Sequence, residues 1–389
     1  MINAIARDSS NADQFTGENV QLVIDNKSFH GWTDIEIKLS LDSFSTVSFS
    51  APFEPDRAEF RQIFEPFTFK PVQGLVGGDI VFTGTMIGVN PQVEPNARTI
   101  EVSAYSVPGV LGDCTSPSGF GRRGRRSGTG PIPRQFGGYT LQAIATKLCE
   151  PFGIKVTFLD PPGAPFASVA IKIEEKIHSF LVELAKQRGL VITNDATGGL
   201  IFQKSVVDGS SVVTFIEGHA PLTTVRPTFS PQEYYSEITG YAPAKHRKPG
   251  SQYTLQNKWL GDGVDDESTP INAHRPMCCK FDDTEVGDAP DATMAKMGRM
   301  FGNMVSYEIE GLPTWRDPQG KLWTPNTLLK LTAPGAMIYK ETVLLVRGVT
   351  LKQNANAETA SLNLVLPNAF GGQMPTRLPW RDEQPAYQV

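Results

Sequence analysis

The chain has 389 residues, 40% of them hydrophobic, a length for roughly two to four domains with apolar content for several buried cores. A formal net charge of −5 excludes a global basic field that would hold nucleic acid or an anionic membrane. Gly at 36, Pro at 30 and Phe at 22 favour a turn-rich β protein over a helical one, so a mainly β fold with α+β insertions is expected. Met1 to Asp8 lacks the charged start and apolar centre of a signal peptide, and no apolar run has the length of a bilayer-spanning helix. Maturation in a cytosol is therefore expected. Cys114, Cys149, Cys278 and Cys279 are too few and too irregularly spaced for a disulfide framework, so reduced thiols are expected.

Along the chain, Val20 to Ile24 reads as a strand leading into the turn Asp25-Asn26-Lys27. Ile35, Ile37 and Leu39 then alternate with polar residues, as Val47 and Phe49 do after the Asp42-Ser43 turn, the pattern of half-buried antiparallel strands. Ala58 to Phe64 fits a short helix within a Pro- and Phe-rich stretch. Val81 to Val89, a polar tip from Asn90 to Arg98, and Thr99 to Tyr105 form a long hairpin closing a first β-barrel domain over residues 1–108. Residues 109–138 change to Gly, Ser, Pro and Arg and read as a linker or exposed loop, with Arg122, Arg123, Arg125 and Arg126 at its centre.

Residues 139–204 read as a small α+β domain. Thr140 caps a helix bearing Leu141, Ile144, Ala145 and Leu148, and a second helix carries Ile177, Phe180, Leu181 and Leu184 and ends at Gly189. A hairpin from Leu190 to Phe202 turns over Asn194 to Gly199. Residues 205–370 read as a second β-barrel domain with a peripheral insertion over 241–304, in which 245–288 looks like a surface excursion and a helix opens at Asp288. Gly320-Lys321-Leu322-Trp323-Thr324-Pro325-Asn326 precedes a hairpin, Leu345 to Leu351 and Thr359 to Leu366, laid out like the earlier one: a strand with a central Gly, a polar loop and an alternating strand. Two similar β domains in one chain are expected. Residues 371–389 read as a tail, extended along a neighbour or loose.

The Arg-rich loop could clamp phosphate, but no aromatic platform lies between its arginines, and docking on an acidic partner surface is favoured. His274, Cys278 and Cys279, preceded by His246, provide one ligand cluster where zinc sites pair two, so no metal or cofactor is expected. His30, His178 and His219 are isolated. H-E-x-x-H, G-x-S-x-G, a P-loop and a dinucleotide fingerprint do not occur, and the acidic pairs Glu174-Glu175 and Asp265-Asp266 are adjacent residues that a strand would point to opposite faces. Met294, Met297, Met300 and Met304 at helical spacing read as a core seam. Trp32 and Trp323, each near a glycine in one of the β regions, read as packing anchors at strand ends or subunit contacts.

In their order, Phe29-His30-Gly31-Trp32, Val81-Phe82-Thr83-Gly84, Leu184-Ala185-Lys186-Gln187-Arg188-Gly189-Leu190, the segment Gly320 to Asn326 and Leu344-Leu345-Val346 resemble the baseplate hub proteins of contractile phage tails. The likeness is to the phage Mu P type, akin to late control D proteins and the N-terminal part of VgrG, and runs over roughly residues 17 to 370. It does not account for the Arg-rich loop. What it implies is a non-enzymatic homotrimer in the tail baseplate of a virion or tailocin, assembled in the host bacterial cytoplasm. Two barrels per subunit would line a tube, so that six meet the sixfold tail tube protein while the threefold axis meets a trimeric central spike. The tape measure and baseplate wedge proteins are further implied partners. A tail-associated cell-wall hydrolase and a DNA-contacting protein are the contrasting readings, and neither has a motif behind it.

Overall fold

The structure is a computed structural model, and it describes residues 4–5, 17–116, 132–233, 235–242, 251–256, 274–280, 289–373, 375 and 378–380. The first β region comprises β1 (Val20–Ile24), β2 (Lys27–Phe29), β3 (Asp34–Ser40), β4 (Thr46–Pro52), β5 (Pro71–Val76), β6 (Asp79–Glu94) and β7 (Ala97–Ser106). Asp25 and Asn26, both left-handed, make the expected turn between β1 and β2. Helix α1 (Ala58–Ile63) presses Phe60 and Ile63 into the sheet, where Phe60 and Phe64 meet Phe29 edge-on.

The next unit is helical with a small sheet. Its α2 (Leu141–Cys149) begins where Thr140 Oγ1 accepts a hydrogen bond from the Ala143 N–H at 3.2 Å. Strand β8 (Val156–Phe158) runs parallel to β10 (Leu200–Gln203), which pairs antiparallel with β9 (Val191–Asn194). Helix α3 (Ile177–Gln187) buries Ile177, Phe180, Leu181 and Leu184 on one face and stops before Gly189, whose φ of 64° suits a helix end. These elements share an apolar cluster distinct from that of the large sheet. Gln135–Phe136 lies in the stretch expected as linker, yet it pairs with Val169–Ala170 and buries Phe136 in this same cluster. The Gly and Pro that suggested a linker there flank a strand too short to show a period.

The remaining strands are β11 (Thr214–Ile216), β12 (Thr224–Phe229), β13 (Glu237–Ala242), β14 (Ser251–Gln256), β15 (Pro276–Lys280), β16 (Val305–Leu312), β17 (Leu328–Ala333), β18 (Ile338–Asn354) and β19 (Glu358–Val365). Helix α4 (Ala289–Met304) leads directly into β16. The surface excursion expected over 245–288 is not wholly irregular, because β14 and β15 flank β13 in a three-stranded sheet. Their sequences, SQYTLQ and PMCCK, are too polar or too short to show a clean period of two.

The fold is mainly β with helical insertions, as the composition implies. The two β regions are not separate bodies, however. Strand β3 of the first pairs antiparallel with β18 of the second over Ser40–Asp34 and Gly348–Asn354, so strands of both regions share one 14-stranded sheet over a continuous core. Among the described residues, the pairings do not close either half into a ring by itself.

Candidate functional site

The feature that sets this molecule apart is a five-strand unit built twice. In the first half the order is β5-β6-β7-β4-β3, and in the second it is β17-β18-β19-β16-β12, with every neighbouring pair antiparallel. The registers agree over the central rungs, although β16 carries a further bulge between Ile309 and Leu312 that β4 lacks. Thr46 faces Tyr105 as Ser306 faces Val365, and Lys38 faces Thr46 as Thr228 faces Ser306. A bulge after Met86, which leaves Gly88 opposite Ser103, recurs after Val346, which leaves Gly348 opposite Asn363. The structural counterpart of Gly348 is therefore Gly88, whereas Gly84 corresponds to Leu344. Strands β1 and β11 occupy corresponding places but run in opposite directions against β5 and β17.

The seam between β3 and β18 joins one unit to the other. Lys352 Nζ lies 2.8 Å and Lys38 Nζ 2.5 Å from the Glu36 carboxylate. Burial works against the Glu36 charge, but those two ammonium groups outweigh it and hold its pKa below the ordinary value. At the seam's end Arg347 grips Asp42 with Nη2 at 2.7 Å, and Leu41, Leu328, Leu345, Val365 and Phe370 form a small apolar cluster. The helical unit is tied in here as well. Thr193 Oγ1 donates to the Ser40 carbonyl at 2.6 Å, and Asn194 Oδ1 accepts from the Ser45 N–H at 2.8 Å.

A second tie links the start of β1 to the loop before β17. Arg316 Nη2 donates to Glu18 Oε2 at 2.9 Å, and its Nε donates to Oε1 of the same carboxylate. Beside it, Glu358 accepts from Gln353 Nε2 at 3.2 Å, and the Trp315 indole N–H donates to the Thr359 carbonyl at 2.9 Å. Hydrogen bonding from Arg316 lowers the Glu18 pKa despite partial burial. Trp315, fully buried, is the tryptophan that sequence reasoning missed, because no glycine motif flags it.

Trp32 and Trp323 both lie in the core of the joined sheet, 4% and 3% exposed, and Trp323 also donates its indole N–H to the Thr314 carbonyl at 3.2 Å. They do not occupy corresponding positions, since Trp32 precedes β3 and Trp323 precedes β17. Arg122, Arg123, Arg125 and Arg126 lie outside the described residues, as do His246 and Asp265-Asp266. Of the methionines, Met297 and Met304 are buried and Met294 is 44% exposed, so α4 offers a seam on one face only. Cys278 and Cys279 are adjacent in β15 and both free. Among the described residues no three His, Cys, Asp or Glu side chains gather as a metal site would require. Burial pushes the Cys149 thiol up to about 12 and lowers the pKa of His178, whose ring packs on Phe44 with centroids 4.4 Å apart. Glu175, with Oε2 on the Lys172 N–H at 3.0 Å, caps a turn beside Glu174.

Several large apolar side chains lie exposed near strand edges that no described residue pairs with. Phe67 is 93% and Phe69 62% exposed in the loop before β5, and Val93 is 76% and Ile87 47% exposed on β6. Elsewhere Phe229, Pro231, Phe301, Met304, Met337 and Trp380 line an open groove of about 340 Å³. Trp380 reaches it because part of the expected loose tail folds back, with the Tyr339 N–H donating to the Pro379 carbonyl at 3.1 Å.

Residues 129–204 match the family described as baseplate hub protein gp44-like, second domain. The baseplate hub protein gp44 of Escherichia phage Mu is 25% identical over 343 residues, covering 86% of this chain and 84% of gp44. The 43 kDa tail protein of prophage MuSo2 from Shewanella oneidensis superposes with a TM-score of 0.71 at 25% identity, over 90% of this chain and 99% of that one. Its likeness to phage baseplate hub proteins spans most of the chain, and its role is that of a structural baseplate hub. The hub fold extends to a tail protein from Neisseria meningitidis, with a TM-score of 0.73, 15% identity, and coverage of 92% and 99%. In this hub the duplicated sheet and its edges are the features that the geometry singles out.

Proposed function

We propose that this hub works as a homotrimer in the tail baseplate, three copies contributing six equivalent five-strand units around a channel. The observation that carries the reading is the duplication itself, matched in strand order, register and bulge position. A sixfold tube and a threefold spike can share an adaptor only if it presents equivalent surfaces in both periodicities, and a trimer of internally doubled chains does so. On this reading one face of the ring meets the tail tube protein and the other meets the trimeric central spike, with the tape measure and wedge proteins as further contacts. The part played is mechanical and non-enzymatic, the assembly forming in the host cytoplasm.

The helical unit over 139–204 and the insertion over 241–304 are then peripheral to two units, 1–108 and 205–370. Trp32 and Trp323 serve as packing anchors, and the arginines from Arg122 to Arg126 dock on acidic protein. Light scattering of the purified chain, alone and mixed with its spike, tests the stoichiometry. A mass of three protomers is expected in at least the mixture, and one or two protomers in both conditions would overturn the trimer.

A further inference from the structure

Strand β18 shares one of its edges between two neighbours: β17 covers the first part, and β3 covers Gly348 to Asn354. The corresponding strand β6 has β5 along its first part, but among the described residues nothing pairs with that edge from Gly88 to Glu94. Strand β12, which corresponds to β3, pairs among the described residues with β16 alone, so none of them pairs with its outer edge either. One seam is filled within the chain, and the two halves of a second, equivalent seam have no strand partner among the described residues.

We propose that the bare edge of β6, together with the Phe67/Phe69 loop, receives β12 and the adjoining apolar groove of a second copy of this chain, with Val89 opposite Phe229. This rests on the trimer reading above and specifies its contact. The register follows from the filled seam, where Val349 faces Leu39 and Leu351 faces Ile37. Transferred, it sets Ile87 against Pro231, Val89 against Phe229, Pro91 against Pro227 and Val93 against Val225, every pair apolar. On the other face it sets Asn90 against Thr228, Gln92 against Arg226 and Glu94 against Thr224, every pair polar. A shift by one residue would set apolar against polar throughout.

The seam between copies differs from the internal one in a way the prolines dictate. In the filled seam the Leu41 N–H donates to the Arg347 carbonyl, which fixes odd-numbered pairs such as Ile37 and Leu351 as those that exchange backbone bonds. Pro91 and Pro227 hold the matching places, and neither has an N–H to give. The ladder there is incomplete, which also protects both edges from indiscriminate strand pairing. Apolar contact has to replace the missing bonds, and the exposed aromatics stand at the right place.

The Met86 N–H donates to the Lys70 carbonyl as the Val346 N–H donates to that of Thr327, so Phe69 corresponds to Asn326. Both are left-handed, with φ of 50° and 63°. In the internal seam Asn326 Oδ1 accepts from the Val206 N–H at 2.8 Å, filling its position with a polar partner from its own chain. In the empty seam an aromatic stands there instead, with Phe67 beside it, next to where the neighbour's Phe229 and Pro231 arrive with the groove they line.

The test uses full-length chains carrying Asn90→Cys and Thr228→Cys, a pair that the register places about 4.5 Å apart at Cα, within disulfide reach. Oxidation is expected to close covalent trimers. The shifted pair, Asn90→Cys with Arg226→Cys, and each single variant, which report on the native cysteines, are expected to give none. Covalent species from the shifted pair alone, while scattering still shows three protomers, would overturn this seam and leave the trimer standing. A chain monomeric with and without its spike removes both. Phe67→Ser with Phe69→Ser is expected to leave the circular dichroism and melting temperature unchanged and to weaken self-association at least tenfold. Unchanged association would remove the aromatics from the contact.

Discussion

Glu18 and Arg316 show how single side chains bind distant parts of this hub. The carboxylate is 17% exposed and accepts both Nε and Nη2 of one guanidinium, a fork that holds the start of β1 to the loop before β17. Because the folded pKa of Glu18 is lowered, its contribution is fully present above the unfolded carboxylate value and is lost as pH falls through the folded one. Arg316→Ala is expected to cost about 1–2 kcal/mol at pH 7, on the scale of a partly buried charge-assisted bond. The loss should shrink in the acid range below the usual carboxylate pKa. Urea unfolding at pH 7 and pH 3 measures this, and an equal loss at both would mean that the guanidinium acts by packing alone.

At the scale of elements, glycines three rungs apart in the two hairpins have different fates. A Cβ on Gly84 would sit 2.1 Å from the Tyr105 carbonyl oxygen, which as backbone cannot yield, whereas a Cβ on Gly348 meets nothing nearer than 3.6 Å. Gly84→Ala is expected to destabilise by roughly 1–3 kcal/mol, as overpacking does, and Gly348→Ala by well under 1 kcal/mol. Paired melting curves check the difference. That contrast marks what the sequence conveys. The hairpins were legible because apolar residues alternate in both, as in Ile100, Val102 and Ala104 and in Ala360, Leu362 and Leu364. Which glycines correspond was not, since a bulge adds a residue without changing composition. The helices of the small unit were legible from their buried faces and the Thr140 cap. The strands β14 and β15 and the pairing of Gln135–Phe136 were not, since their stability comes from partners distant in sequence. The seam between β3 and β18 is equally hidden, although its residues read as strands.

For the whole molecule, that seam decides whether the two halves yield together. One apolar cluster runs from Val20 in the first half to Leu366 in the second, and Leu351, fully buried, stands at the join opposite Ile37. The helical unit keeps its own cluster, with Leu181 equally buried. Cutting the side chain back in either place removes similar apolar volume, so Leu351→Ala and Leu181→Ala are each expected to cost about 2–5 kcal/mol. The distribution of that cost should differ. If the halves unfold as one cooperative body, Leu351→Ala lowers hydrogen-exchange protection in β4 and β16 by the same free energy and affects β10 least. Leu181→Ala should do the reverse, with its largest effect on β9 and β10. Protection lost from β16 but retained in β4 would mean that the halves yield separately. In the ring proposed above, each chain would then bend at its own seam, whereas equal loss would make each copy a single rigid arc.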